Sequence, residues 1–156
     1  MSEAPVAVGD TAPDFTLRNQ NGEEITLAEQ LGQGPVLLVF YPFAWSGICT
    51  GELCSIRDDL AGYTGDGAAQ VLAISCDPMF TLRAWADAEG YTFGLLSDFW
   101  PHGAVASDYG VFDADSGMAI RGTFLIGTDG KVAWSQVNGP GQARDFAGYR
   151  DALAAL

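Results

Sequence analysis

The sequence predicts an α/β domain: a mixed central sheet with helices on both faces, preceded by an N-terminal β-hairpin. Three observations carry this. Val36-Leu-Leu-Val-Phe-Tyr41 and Gln70-Val-Leu-Ala-Ile-Ser-Cys76 are continuous apolar runs, the pattern of strands buried on both faces. Each is followed by a helix-forming stretch, the order of a β-α-β unit. The last third of the chain instead places two strands in succession before a closing helix, which adds antiparallel strands to the sheet.

The elements follow in order. Asp14-Phe-Thr-Leu-Arg18 and Glu24-Ile-Thr-Leu27 flank Asn21-Gly22, a turn pair that joins two short strands into the hairpin. Gly32-Gln-Gly-Pro35 breaks the chain ahead of the strand 36–41. After Pro42 a helix is expected over 47–61, then the strand 70–76, a helix over 79–89 and a weaker strand at Gly94-Leu-Leu-Ser97. Strands over 118–126 and 131–137 meet across Thr128-Asp-Gly130, and a helix over 144–156 ends the chain. In such sheets chemistry gathers beyond the carboxyl ends of the strands. Pro42-Phe-Ala-Trp-Ser-Gly-Ile-Cys49 stands at one of those ends.

The 156 residues make one domain, 1–156. Asp and Glu outnumber Lys and Arg by 20 to 7, for a net charge of −13. That balance leaves no basic surface for nucleic acid or an anionic membrane. The longest apolar run, 36–43, is too short to span a bilayer, and the first residues lack the pattern of a signal peptide. Three cysteines are too few, and odd in number, for a secreted disulfide framework. A single histidine removes most zinc designs and most histidine-driven acid–base chemistry. The expectation is a soluble, acidic, cytoplasmic protein that uses no metal or cofactor and works through cysteine.

Cys49 falls on the buried stripe of the helix 47–61, with Leu53, Ile56 and Leu60, and in its first turn. Unpaired amides and the positive end of the helix dipole favour a thiolate there. Ser46 suits the helix cap and can offer its hydroxyl to the sulfur or to a bound oxygen. Glu52, one turn along, shares the site. Arg121 interrupts an otherwise apolar strand, Ile120-Arg-Gly-Thr-Phe-Leu-Ile126, although arginine is seldom buried unless paired. It is either a rim residue covering apolar surface or a cation beside Cys49 that Glu52 orients.

Cys54 falls on the polar face of the same helix, beside Arg57 and Asp58, where an unused thiol is a liability. Five residues along a helix place two Cα atoms roughly 8 to 9 Å apart. A disulfide needs about 7 Å or less, so Cys49 and Cys54 can join only if the first turns unwind. Cys76, at the end of a buried strand, reads as a core residue, and His102 as a packed or hydrogen-bonded loop residue.

With these residues assembled, the chain resembles the peroxiredoxins. Pro42, Ser46 and Cys49 match the family's signature of proline, threonine or serine, and peroxidatic cysteine. Arg121 in Arg-Gly-Thr-Phe matches its second active-site element, and Glu52 stands where many members carry glutamate. The likeness runs from Gly9-Asp-Thr-Ala-Pro-Asp-Phe-Thr-Leu17 to the terminal helix. It is strongest to the AhpE-type subgroup, through Leu96-Ser-Asp-Phe-Trp-Pro-His-Gly-Ala-Val105 and Tyr109-Gly-Val-Phe112. The resemblance implies a thioredoxin-like fold, a homodimer, and reduction of hydrogen peroxide and alkyl hydroperoxides, extending to peroxynitrite. Pro42 would limit solvent over the sulfur. AhpE-type members are one-Cys enzymes, reduced by an outside thiol of the mycothiol or mycoredoxin kind. Cys54 instead has the spacing of the resolving cysteine in PrxQ-type (Bcp) members, which implies a transient Cys49–Cys54 disulfide and a thioredoxin-type donor. Cys76 is a further candidate resolver. A thiol–disulfide oxidoreductase or a redox sensor on the same fold is the competing reading, although the former would favour Cys-x-x-Cys at the helix start.

Overall fold

A computed structural model describes residues 4–64, 69–139, 142 and 144–156. The chain begins with β1 (Thr16–Arg18), β2 (Glu24–Thr26), α1 (Leu27–Leu31), β3 (Val36–Phe40), α2 (Gly47–Asp58) and α3 (Leu60–Thr64). It continues with β4 (Gln70–Ser75), α4 (Met79–Glu89), β5 (Gly94–Ser97), α5 (Ala104–Asp108) and β6 (Phe112–Asp113). The last elements are β7 (Met118–Ala119), β8 (Arg121–Ile126), β9 (Val132–Asn138) and α6 (Tyr149–Ala154).

Seven strands form one sheet in the order β2-β1-β5-β4-β3-β8-β9. The apolar runs occupy its centre: β3 pairs parallel with β4, and β4 with β5. β8 lies antiparallel to β3, with Thr123 opposite Val39, and β9 extends that edge. The expected N-terminal hairpin is β1–β2, joined antiparallel to β5. Alternation along β3 divides the core. Val36, Leu38 and Phe40 pack on one face with Leu27 of α1, Val105 and Ala106 of α5, and Tyr109. Leu37 and Val39, with Tyr41 just beyond them, pack on the other face with α2, α4 and Tyr149 of α6. Both faces are covered, as the continuous apolar pattern requires. Among the described residues, no helix is long and apolar enough to cross a membrane.

Three expected elements are cut differently. The helix expected over 47–61 ends at Asp58, because Asp59 leaves helical geometry (φ −128°, ψ 46°) and its carboxylate takes an ion pair from Arg150 at 2.9 Å. The strand expected over 118–126 is two strands. Met118 and Ala119 pair with β6 in a separate ribbon, closed by a turn in which Gly117 N donates to Asp113 O and Gly117 adopts φ 68°. The final helix starts at Tyr149 rather than at 144, because Arg144 is spent on contacts described below. α1, α5 and β6 went unpredicted, since five or fewer residues carry too little periodicity to register.

Asp98 ties the β5 end to α5. Its buried carboxylate accepts from Val105 N at 3.2 Å and Ala106 N at 2.9 Å. Burial outweighs these two bonds and pushes its pKa up to about 6. A raised carboxyl group favours the fold when protonated. Its contribution is therefore present below about pH 4, the unfolded value, and is lost as pH rises through about 6. Asp98→Asn, which stays neutral, is expected to gain on the wild type in urea unfolding as pH is raised from acid to neutral. A difference that stays constant across that window would contradict this.

Candidate active site

The site is built where β3 ends. Tyr41 and then Pro42 follow, both buried. The next turn is pinned from β4's side by Asp77, whose Oδ2 accepts from Ala44 N at 2.8 Å and from Ser75 Oγ at 2.7 Å. Trp45 then takes a left-handed φ of 71°, costly for a residue with a side chain, which turns the chain into α2. Cys49 sits in the first turn of that helix at 0 % exposure, on the inward stripe with Leu53 and Ile56.

β8 supplies the cation. It runs antiparallel to β3, so its first residue lies beside the carboxyl end of β3. Period-two alternation puts Arg121 on the same face as Leu125, which packs with α2. The Arg121 Nη1 donates to Cys49 Sγ at 3.3 Å and to Glu52 Oε1 at 2.6 Å, and Arg121 is 2 % exposed. The sequence allows Arg121 a place at the rim or in the site. The structure places it against the sulfur.

A second arginine, missed from sequence, completes the set. Arg144 Nε donates to Glu52 Oε1 at 3.3 Å and its backbone N to Glu52 Oε2 at 2.7 Å. Its guanidinium also donates to Thr123 Oγ1 at 2.8 Å, Gly122 O at 3.1 Å and Phe40 O. Burial, with the like charge of Arg121 behind it, pushes Arg144 down to about 10, while Glu52 acts the other way. It stays charged at neutral pH. Two guanidinium groups and one carboxylate leave this buried cluster one positive charge in excess beside the Cys49 sulfur. The only hint in the sequence was scarcity, since the chain has just seven basic residues.

Two expectations, for Ser46 and Cys54, need correction, while Cys76 and His102 lie as expected. Ser46 holds the cap position by its backbone, its carbonyl accepting from Thr50 N at 2.8 Å, but its side chain does not cap. The hydroxyl instead donates to Phe43 O at 3.0 Å. Cys54 is not on an open polar face. It is half-buried against the end of α4, with Sγ 3.5 Å from Glu89 Oε2 and 3.4 Å from the Tyr91 hydroxyl. A wheel of one helix cannot show what its neighbour covers. Both cysteines lie on the unbroken α2 and both are free thiols. Cys76 is buried, and burial reinforced by Asp98 pushes its thiol up to about 12, out of reach of ionisation at neutral pH. His102 bonds Gly117 O through Nε2 at 2.6 Å and packs edge-on to Phe99 and Phe112.

Known proteins share this arrangement of chain. A family model described as the AhpC/TSA family matches residues 8–135. "Alkyl hydroperoxide reductase E" of Mycobacterium tuberculosis is 51% identical over 149 residues, covering 96% of this chain and 97% of the relative. "Peroxiredoxin Bcp" of Escherichia coli is 37% identical over 134 residues, covering 82% of this chain and 83% of the relative. Among solved structures, "Peroxidoxin BcpB from Mycobacterium tuberculosis" superposes with a TM-score of 0.83 at 35% identity, covering 97% and 98% of the two chains.

Proposed function

The chain belongs to the AhpC/TSA family and is a thiol-dependent peroxidase on a thioredoxin-like fold, and from that premise we propose that Cys49 is the sulfur that meets the peroxide and that Cys54 resolves it. The observation that carries the first half is the Arg121 guanidinium, held 3.3 Å from Cys49 Sγ by Glu52 behind it. The Cys49 thiolate attacks one peroxide oxygen, the O–O bond breaks, the other oxygen takes the attacked oxygen's proton and leaves as water or alcohol, and the sulfenate left behind takes a proton from solvent. Cys49 becomes a sulfenic acid. Arg121 and the first amides of α2 stabilise the charge that develops as the bond lengthens. Glu52 orients Arg121, Pro42 keeps solvent from the sulfur, and Ser46 meets a peroxide oxygen once its hydroxyl leaves Phe43 O. Since Cys49 is fully covered, peroxide enters when the turn over 42–46 opens. Hydrogen peroxide and alkyl hydroperoxides are the substrates of this reading, with peroxynitrite as an extension.

Resolution requires motion. On the intact α2 the two cysteines are five residues apart, roughly 8 to 9 Å between Cα atoms, beyond the reach of a disulfide. The first turns of α2 therefore unwind, Cys54 attacks the sulfenic sulfur, and water leaves. A thioredoxin- or mycoredoxin-type dithiol reopens the bond. Three unbonded cysteines fit a reducing cytoplasm. We assign a homodimer to the same reading, because Phe80, Phe99 and Trp100 line one open groove and stay exposed.

The test is peptide mass analysis of reduced protein after one equivalent of hydrogen peroxide, with the remaining thiols alkylated before and after denaturation. The expected product has lost two hydrogens, links Cys49 to Cys54, and shows Cys76 labelled only after denaturation. One oxygen on Cys49 with Cys54 alkylated would make this a one-Cys enzyme served directly by an outside thiol such as mycothiol. An unmodified Cys49 would overturn the assignment of the reacting sulfur.

A further inference from the structure

Cys54 does not simply lie on the flank of α2; its sulfur sits in a socket made by three residues. Glu89, the last residue of α4, brings Oε2 to 3.5 Å from Cys54 Sγ. Gly90 then takes φ 73°, ending the helix, and Tyr91 folds back so that its hydroxyl lies 3.4 Å from the same sulfur. That hydroxyl also donates to Thr50 O at 3.4 Å, the carbonyl next to Cys49 in the first turn. Arg57, one turn beyond Cys54, fixes the far side of the socket. Its Nη1 lies 3.7 Å from Glu89 Oε2 and donates to Glu89 O at 2.5 Å. The Tyr91 ring is itself locked, edge-on to Trp85 at 5.0 Å and stacked on Phe93 at 5.3 Å.

These contacts assign two opposed tasks. A carboxylate beside a thiol is a proton acceptor; a hydroxyl spanning one helix turn and the next sulfur is a brace against unwinding. We infer that Glu89 takes the Cys54 proton during resolution, while Tyr91 holds α2 closed until Cys49 has reacted, so that the two set the rate of disulfide formation between them. This rests on the reading of Cys54 as the resolving cysteine. The step balances as follows. The Cys54 proton passes to the Glu89 carboxylate, and the thiolate attacks the sulfur of the Cys49 sulfenic acid. The S–S bond forms as the S–O bond breaks. The departing hydroxide takes a proton from Glu89 and leaves as water. The oxidising equivalent is the one peroxide has already delivered. Burial pushes the Tyr91 hydroxyl well above its usual range, so it stays a neutral donor throughout. The Arg57 charge keeps Glu89 aimed at the sulfur and draws off the Asp58 carboxylate, which it binds at 2.8 Å.

The experiment is stopped-flow tryptophan fluorescence of the reduced full chain mixed with hydrogen peroxide. It separates a first phase that scales with peroxide from a second, peroxide-independent phase of disulfide formation. Glu89→Gln is expected to slow the second phase about tenfold or more, relative to the first. Tyr91→Phe keeps the ring and is expected to speed the second phase about fivefold, the size of one or two weak hydrogen bonds. Asp87→Asn, which changes an exposed charge on the same helix, is the control and leaves both phases as they are. Opposite signs from two neighbouring residues are what general damage to the α2–α4 packing would not produce. If the wild type shows no Cys49–Cys54 disulfide by mass, the resolving role of Cys54 and this inference both fall. If the disulfide forms but Glu89→Gln runs at the wild-type second-phase rate, or Tyr91→Phe slows it, this inference alone falls.

Discussion

Arg121→Met is expected to lower the second-order rate constant of Cys49 with hydrogen peroxide by roughly 10²- to 10³-fold, the usual effect of removing one well-placed donor from a developing charge. The argument runs through the charge of the buried cluster. With both arginines present, Glu52 is outnumbered and a thiolate at Cys49 makes the set neutral. Without Arg121, Glu52 is matched by Arg144 alone, and a thiolate adds an unmatched buried negative charge. The reacting sulfur then lacks the cation that stabilises the negative charge it carries into the reaction. The same arithmetic says that the variant folds, because the Glu52–Arg144 pair keeps each partner compensated. The stopped-flow rate of the reduced protein with hydrogen peroxide reads the effect. An unchanged rate constant in a folded variant would show that Cys49 reacts without the guanidinium.

Much of this architecture was legible because the signals were local. Continuous apolar runs marked β3 and β4, a weaker signal marked β5, and the helix expected over 79–89 is α4. Arg121 stood out as a cation inside an apolar strand, and the helix wheel turned Cys49 inward. What escaped was pairing across long separations. Arg144 meets Glu52 across 92 residues, and nothing in its own neighbourhood distinguishes it from a first-turn residue of the final helix. That same engagement is why the helix begins late: the backbone N of Arg144 is bonded to a carboxylate of α2. Cys54 was misjudged for a related reason. Arg57 and Asp58 made its face look solvated, but Arg57 itself turns to Glu89, and the end of α4 closes over the sulfur. Propensity and periodicity describe one element at a time, whereas both misses are facts about how two elements meet.

Cys54→Ser is expected to stop the cycle after one turnover. Peroxide equal to the enzyme is consumed, and steady-state turnover with a thioredoxin-type donor falls by about 10²-fold or more, the scale of losing a covalent step. Serine is nearly the shape of cysteine and can donate to Glu89, so α2 stays packed and the loss belongs to the sulfur. The stalled enzyme holds Cys49 as a sulfenic acid, which a sulfenic-specific nucleophile traps and excess peroxide drives on to the sulfinic acid. Wild-type protein under the same excess is protected to the extent that disulfide formation outruns the second oxidation. The closed helix thus serves two opposed needs. On the proposed cycle it holds Cys49 against Arg121 for the first reaction and opens soon enough afterwards to bring Cys49 to Cys54. Full turnover by Cys54→Ser with a thioredoxin-type donor would mean that an outside thiol reaches Cys49 directly, and the unwinding of α2 would have no part in catalysis.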